Sequence, residues 1–375
     1  MRLSLALAVL TLEALIMAVV PFAPQSAPLA AHADGLFASL AQQQILSLLP
    51  ASAPGGIAVA LRFDGRTEFL STGPVDSDSL FNVASLRKPF EATLLARAVG
   101  DGRMSLDDPI PKFLPEISPA SAMARVTVGQ LATHTSGLLM PQDHPPWPTA
   151  HYTLDTFFAA LNDWRPDPGH APGRQSMYTH AGYIVLQLVL ERALGGPIDE
   201  LLRRQLFEPL GLESSIVPQR GADGRGLLPP PMLARAVQGY DEDGAPVGLP
   251  GDQQTYYDFP GTGQMFSTAR DLLRFVDANM DEGSPVDPSL AQAMRLARTP
   301  VVPTGTRTSQ GLAWEIDDTQ APQLVDKNGG LNNTSTYMGM MPARRIALVV
   351  LCSRGNVDVA TAARRVIRLY VERHS

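Results

Sequence analysis

The chain has 375 residues, 45% hydrophobic and 18% charged, with a formal net charge of -7 at neutral pH. That length supports one large domain or two small ones with a sizeable core, and the composition is that of a soluble globular protein. The acidic balance argues against nucleic acid or an anionic membrane surface as partner, and a single cysteine, Cys352, excludes an intrachain disulfide.

The N-terminal run "MRLSLALAVLTLEALIMAVV" has one early arginine and a long apolar stretch, followed by the small-x-small site Ala31-His32-Ala33. It reads as a signal peptide over residues 1–33, with a mature domain over 34–375 exported to the periplasm. Glu13 and the length of the run leave an uncleaved anchor as the alternative. No later segment is long and apolar enough to span a bilayer.

A short helix is predicted near Phe37 to Leu49. Two strands, "GGIAVALRF" and "RTEFLSTG", follow and meet at an Asp64-Gly65 turn. After "FNVASLRKPF", Phe90, Leu94, Leu95, Ala98 and Val99 recur at helical spacing and predict a half-buried helix starting near Ser85. The middle of the chain is helical pattern broken by Pro/Gly loops such as "PQDHPPWP" and "WRPDPGHAPGRQ". Near the other end "TSTYMGMMPARRIALVVLCS" predicts a hairpin turning at Pro342 to Arg345, and "VATAARRVIRLYVERH" a closing helix. Strands at both ends and helices between them give an α/β chain of the α+β type. Its simplest form is an antiparallel sheet built from both termini, flanked by helices, with a mostly helical lobe inserted.

Three stretches carry chemistry. In the first, Ser85 and Lys88 fall one turn apart on one helical face, with the serine at the positive end of the helix dipole and Pro89 in the opening turn. The chain holds 30 lysines plus arginines; three are lysine (Lys88, Lys112, Lys327), which leaves 27 arginines. Arginine cannot release its proton in a protein, whereas a desolvated lysine can act as a base, so Ser85 and Lys88 could pair as nucleophile and base. A capping serine beside a surface lysine would give the same local pattern. The second stretch, "QSMYTHAGYIVLQLVLERAL", puts Tyr178 and His180 at the end of a loop just before an apolar helix. There a tyrosine could share a proton with a lysine, or simply staple the loop down. The third, "VDKNGGLNNTSTYMGMMP", places Lys327, Asn328, Gly329 and Gly330 ahead of a strand. The lysine and asparagine could hold a substrate carboxylate, and the glycines would let a substrate backbone approach; a turn leading into a hairpin is the plainer reading.

In the order Ser-x-x-Lys, Tyr-x-His, Lys-x-Gly, the chain resembles the serine β-lactamase and penicillin-binding superfamily, specifically its class C-like branch. The segments "DGRMSLDDPIPKFLPEI", "VTVGQLATHTSGL", "LLRRQLFEPLGLESS", "GQMFSTARDLLRFV" and "GLAWEI" are similar to family segments in the same order. The resemblance runs from about Phe37 to the C-terminus. It implies that Ser85 is acylated, that Lys88 takes or relays its proton, and that Tyr178 acts with Lys88 in acylation and on the deacylating water. It further implies an oxyanion hole from the N–H groups of Ser85 and Gly330. Lys327 and Asn328 would orient a substrate carboxylate, and Gln142 would contact the substrate amide. Two positions depart from the family: His180 replaces an asparagine, and Asn328 replaces a threonine or serine. Both bear on which substrates fit. Class A is disfavoured by the lack of Ser-Asp-Asn and Glu-x-x-Leu-Asn runs, and the metallo-β-lactamases by the lack of His-x-His-x-Asp.

The resemblance implies a periplasmic β-lactamase with an atypical substrate profile. The alternatives are a DD-peptidase or endopeptidase acting on peptidoglycan, a carboxylesterase, and a non-catalytic binding protein. Esterases of this type tend to lose the lysine of Lys-x-Gly. No cofactor is expected: His180 raises the question of zinc, but His32, His134, His144, His151, His170 and His374 show no ligand spacing, and His134 reads as structural. A monomer is the default expectation.

Overall fold

The computed structural model describes residues 35–140, 152–220, 226–252, 264–280 and 287–373. Its first element is helix α1 (Leu36–Gln44). Strands β1 (Ile57–Phe63) and β2 (Arg66–Thr72) follow as a hairpin. Asp64 and Gly65 both take positive φ, 47° and 75°, as a two-residue turn matched to the strand twist demands. Strand β3 (Phe81–Asn82) leads into the serine turn and the lobe.

The lobe holds α2 (Lys88–Gly100), α3 (Val128–Ala132), α4 (Leu154–Asp163), α5 (His180–Leu194), α6 (Ile198–Leu202), α7 (Glu208–Leu210) and α8 (Pro230–Leu233). Two short strands, β4 (Gln219–Arg220) and β5 (Gly226–Leu227), pair with each other, and β6 (Phe266–Ser267) pairs with β3. Helices α9 (Ala269–Met280) and α10 (Pro288–Ala297) return the chain to the sheet. There β7 (Val302–Pro303), β8 (Thr308–Gln310), β9 (Glu315–Asp317), β10 (Leu324–Leu331), β11 (Thr334–Met341) and β12 (Ile346–Cys352) lie antiparallel, and α11 (Val359–Arg373) closes the chain.

The eight-stranded sheet has the order β2-β1-β12-β11-β10-β9-β8-β7, so strands from the two chain ends meet where β1 pairs with β12. This is the α+β sheet with an inserted helical lobe that the strand and helix patterns predict. The Pro342-to-Arg345 turn also holds: a single 3-10 turn ends at Arg345, whose φ is 53°.

Period-two alternation divides the central strands between two cores. Ile57, Val59, Leu61 and Phe63 of β1, with Leu348, Val350 and Cys352 of β12, pack with α1 and α11. Phe37 and Tyr370 meet there at 4.6 Å between ring centroids, tilted by 38°. The alternate residues Ala58, Ala60, Ala347, Val349 and Leu351 join the core of the lobe. Three of those five are alanine, which lets helix α9 approach this face closely. With both faces covered, β1 and β12 read as continuous apolar runs.

Two local expectations differ from the fold. Helix α2 is buried nearly all round, with only Arg97, Val99 and Gly100 reaching solvent, because it runs through the middle of the lobe core. The α-helix proper also opens at Lys88; Ser85 sits in a preceding 3-10 turn, Ala84–Arg87. The "KNGG" run is a second correction of the same kind. It lies within β10 rather than ahead of a strand, with Lys327 opposite Met338, Asn328 opposite Tyr337, Gly329 opposite Thr336 and Gly330 opposite Ser335. Pairing with a fully buried β11 overrides the low strand preference of two glycines.

Candidate active site

Ser85 is presented by a constrained turn. Val83 donates its N–H to Met265, Asn82 Oδ1 accepts the Ala84 N–H at 3.0 Å, and Ala84 takes a left-handed φ of 51°. From there the 3-10 turn runs straight into α2, which puts Lys88 Nζ 3.1 Å from Ser85 Oγ as a donor. The Lys88 side chain is fully buried, so the reading of a surface lysine falls. Its ammonium lies 5.0 Å from the ring centroid of Tyr178 and 5.4 Å from that of Tyr183.

Tyr178 comes from a loop 93 residues further along the chain, yet its hydroxyl and Ser85 Oγ are 2.6 Å apart, either one able to donate. Ser85 Oγ therefore meets both Lys88 and Tyr178. Tyr178 is 41% exposed, whereas Lys88 is fully buried. Immediately after it, Thr179 caps α5 by accepting the Gly182 N–H at 2.8 Å, which fixes where the loop enters the helix.

His180 is the first residue of α5, its ring edge-on to Tyr178 at 5.3 Å. Burial, then the positive charges of Lys88 and Lys327, push its imidazole down to about 3. His180 is thus neutral at physiological pH, where an asparagine would also be neutral.

Lys327 is buried, with its ammonium 5.1 Å from the Tyr178 ring centroid. It donates to Glu315 at 2.9 Å. Arg364 spans Glu315 and Asp326, and Asp326 accepts from the hydroxyl of Tyr337. Burial raises the Glu315 carboxyl, but Lys327 and Arg364 outweigh it and hold the group below the usual carboxylate range.

Strand β10 lies hard against the serine. A Cβ on Gly329 would stand 2.9 Å from Ser85 N, 3.0 Å from Val83 O and 2.6 Å from Thr336 Oγ1, so only glycine lets the strand come this close. β9 pairs with β10 only at Leu324, Val325 and Asp326; among the described residues no strand pairs with that edge from Lys327 onward. Asn328, Gly329 and Gly330 line a groove of about 640 Å³ along with Asp241, Asp243 and Asp358. A larger hollow, about 800 Å³, is lined by Phe207, Leu212, Val217 and Met232 and includes none of these residues, so size alone does not mark the site.

The fold thus brings Ser85, Lys88, Tyr178, His180, Lys327 and Gly329 together, with Asn328 and Gly330 on the same strand. Gln142 lies outside the described residues. Sequence reasoning missed Glu315, although it sits in the quoted "GLAWEI". Tyr183 was also missed; it stands three residues after His180, and its hydroxyl donates to Ala132 O at 2.8 Å beside Lys88. Arg87 and Glu91 were missed too. They form an ion pair at 2.6 Å with both side chains fully buried, and Arg87 reaches Gln187 of α5.

A serine hydroxyl between a buried lysine and a tyrosine, against a glycine strand, is the arrangement of an acyl-transferring serine hydrolase. The β-lactamase family model matches residues 43–372. A β-lactamase of Lysobacter lactamgenus is 28% identical over 341 residues, covering 80% of this chain and 82% of the relative. Penicillin-binding protein 4 of Amycolatopsis lactamdurans is 28% identical over 328 residues, covering 80% and 81%. A solved class C β-lactamase superposes with a TM-score of 0.75 at 23% identity, covering 90% of this chain and 98% of that one. The chain belongs to the β-lactamase family, and its fold is that of the class C β-lactamases. It is a serine hydrolase of the β-lactamase type.

Proposed function

We propose that the protein hydrolyses the β-lactam amide through an acyl-enzyme on Ser85. The observation that carries this is the Ser85 hydroxyl held between Lys88 Nζ at 3.1 Å and the Tyr178 hydroxyl at 2.6 Å. Ser85 Oγ bonds to the lactam carbonyl carbon as its proton passes to the Lys88–Tyr178 pair. The ring C–N bond then breaks, and the same proton is delivered to the leaving nitrogen. The N–H groups of Ser85 and Gly330 stabilise the oxyanion. In deacylation a water gives its proton to the Lys88–Tyr178 pair as it attacks the ester carbon; the bond from that carbon to Ser85 Oγ then breaks, and the pair returns the proton to Oγ. Lys327 and Asn328 orient the substrate carboxylate, Gln142 its amide, and neutral His180 shapes the pocket beside the acyl group.

A DD-peptidase acting on peptidoglycan is the second reading. The edge of β10 from Lys327 onward, with which no strand pairs among the described residues, favours it, since an extended peptide could add there as a strand. A carboxylesterase is the third, and the retention of Lys327 weighs against it. The apolar N-terminal run supports export to the periplasm, where β-lactam hydrolysis would confer antibiotic resistance. We take the enzyme to act as a cofactor-free monomer.

The test follows a penicillin, a cephalosporin and a carbapenem by absorbance, with intact mass reporting any adduct on Ser85. Multiple turnovers support β-lactamase action. A persistent adduct without turnover moves the assignment to a peptidoglycan peptidase. Neither turnover nor adduct removes both, leaving an esterase or an inactive relative.

A further inference from the structure

His134, in the "LATHTSGL" segment, holds the loop that carries Tyr178 at three points. Its backbone carbonyl accepts the Met177 N–H at 2.6 Å. Its ring Nδ1 accepts the Thr179 N–H at 3.4 Å. Its ring lies against the Tyr178 ring, centroids 4.5 Å apart and tilted by 36°. The residues before and after Tyr178 are thus tied to one residue, and the tyrosine between them rests on that residue's side chain.

The surrounding chain serves the same contact. The Gly173 N–H donates to Thr135 O at 2.7 Å and Ser176 Oγ to Thr133 O at 3.5 Å, so residues 173–179 run along 133–137. At Gly137, φ is 68°, and a Cβ there would stand 1.9 Å from His170 O. His134 itself has a left-handed φ of 57°, a conformation that costs a non-glycine residue and persists only where the surroundings fix it.

The ring must also be neutral and of one tautomer. Nδ1 accepts, so the proton sits on Nε2, which is buried and lacks a hydrogen-bond partner among the described residues. The groups facing it are Lys327, Lys88 and His180 together with the phenols of Tyr178 and Tyr183. A charged imidazole could not accept from Thr179. Burial first, then Lys327, Lys88 and His180, hold His134 well below the ordinary histidine range.

We propose that His134 is a positioning residue for the reaction: through its Nδ1 acceptor and its ring it sets the Tyr178 hydroxyl on Ser85 Oγ. The inference rests on the reading of Tyr178 as the proton-transfer group of the site. A residue acting this way alters kcat through geometry and leaves substrate contacts alone.

The test compares wild type with His134→Phe, which keeps a ring under Tyr178 but has no acceptor, and His134→Asn, which offers an acceptor and tolerates a left-handed φ. Each is assayed for kcat and KM on a chromogenic cephalosporin and a chromogenic ester, for Ser85 labelling by a fluorophosphonate, and for thermal melting. In His134→Phe that still melts cooperatively, kcat and the labelling rate should fall roughly tenfold or more, within the roughly hundredfold that a 1 Å misplacement can cost, with KM nearly unchanged. His134→Asn should recover part of the loss. A folded His134→Phe with wild-type kcat and labelling rate overturns the proposal, as does a defect confined to KM. If His134→Phe does not fold, His134→Asn decides: a kcat defect with unchanged KM and melting supports the role, and no defect, or one matched by lower melting, overturns it. A wild type that turns over neither substrate and takes no label removes the catalytic reading of Tyr178 and this role with it.

Discussion

The Lys327 ammonium donates to the Glu315 carboxylate at 2.9 Å, so the lysine that would anchor a substrate carboxylate already holds an internal one. Arg364 shares Glu315 from α11, which ties this position on β10 to the C-terminal helix. A substrate carboxylate at Lys327 would meet a balanced network, not a lone cation.

Glu315→Gln should therefore strengthen the hold on anionic substrates. We expect KM to fall about fivefold at low salt, the scale of ~1 kcal/mol for a partly exposed pair, and the effect to shrink at high salt. The same variant reads out linkage. The folded Glu315 carboxyl lies below its ordinary value of 4.5, so its contribution is present above that pH and is lost as pH falls through the folded value. Urea titrations should show Glu315→Gln losing less stability than wild type below about pH 4.5. An unchanged KM across salt concentrations would mean that Lys327 does not touch the substrate carboxylate.

Lys88 tests the proton role. The site is fully buried and shaped around an ammonium between two phenol rings, so Lys88→Arg should be nearly as damaging as Lys88→Ala. We expect kcat/KM losses of roughly 10²- to 10⁴-fold in both, and no Ser85 adduct in Ser85→Ala by intact mass. A Lys88→Arg enzyme close to wild type would show that charge alone suffices.

His180 makes an acid-stability prediction. Its ordinary value is 6.5 and the folded value is about 3, so between those limits the unfolded chain binds a proton that the folded chain refuses. Stability then falls as pH drops from 6.5 toward 3. Denaturation midpoints at about pH 7.5, 5.5 and 4.5 should decline less steeply in His180→Asn. The substrate profile of that variant should move toward ordinary class C behaviour, while no limb of the pH–rate profile between about 5 and 8 belongs to His180. A midpoint curve parallel to wild type would place the histidine outside this titration.

Gly329→Ala should disable the site without unfolding the protein. Its Cβ would stand 2.9 Å from Ser85 N and push β10 away from the serine turn. A loss of about a hundredfold in kcat, with melting little changed, is the expected outcome. Near-normal kcat would mean that the strand can retreat without moving Ser85.

The buried pair of Arg87 and Glu91 makes a stability prediction. Removing one partner strands a charge, so Arg87→Ala should cost about 3–5 kcal/mol in urea unfolding, whereas the double variant Arg87→Met, Glu91→Leu should cost much less. Equal losses in single and double variants would show that packing, not charge, sets the penalty.

Some of this was readable from the chain alone. Ser85 and Lys88 are three residues apart, and one turn of helix suffices to bring them together, whichever helix type supplies it. The Asp64-Gly65 turn, the two terminal hairpins and the closing helix follow from residue preferences that act over a few positions. The helical lobe between them follows from apolar periodicity. Motif order then pointed to the family, because Tyr178 and Lys327 carry weight only beside Ser85 and Lys88.

What the sequence could not decide was distance across the fold. Tyr178 reaches Ser85 because residues 173–179 dock on 133–137, and Gly329 reaches it because β10 is held in register by β11. Glu315 meets Lys327 because β9 pairs beside β10, a contact that no local spacing encodes. The neutrality of His180 depends on burial near two lysines that lie 92 and 147 positions away in sequence. Local preference is set by neighbours along the chain, whereas proton affinity and hydrogen-bond geometry are set by neighbours in space, and those exist only once the sheet and the lobe have closed on one another.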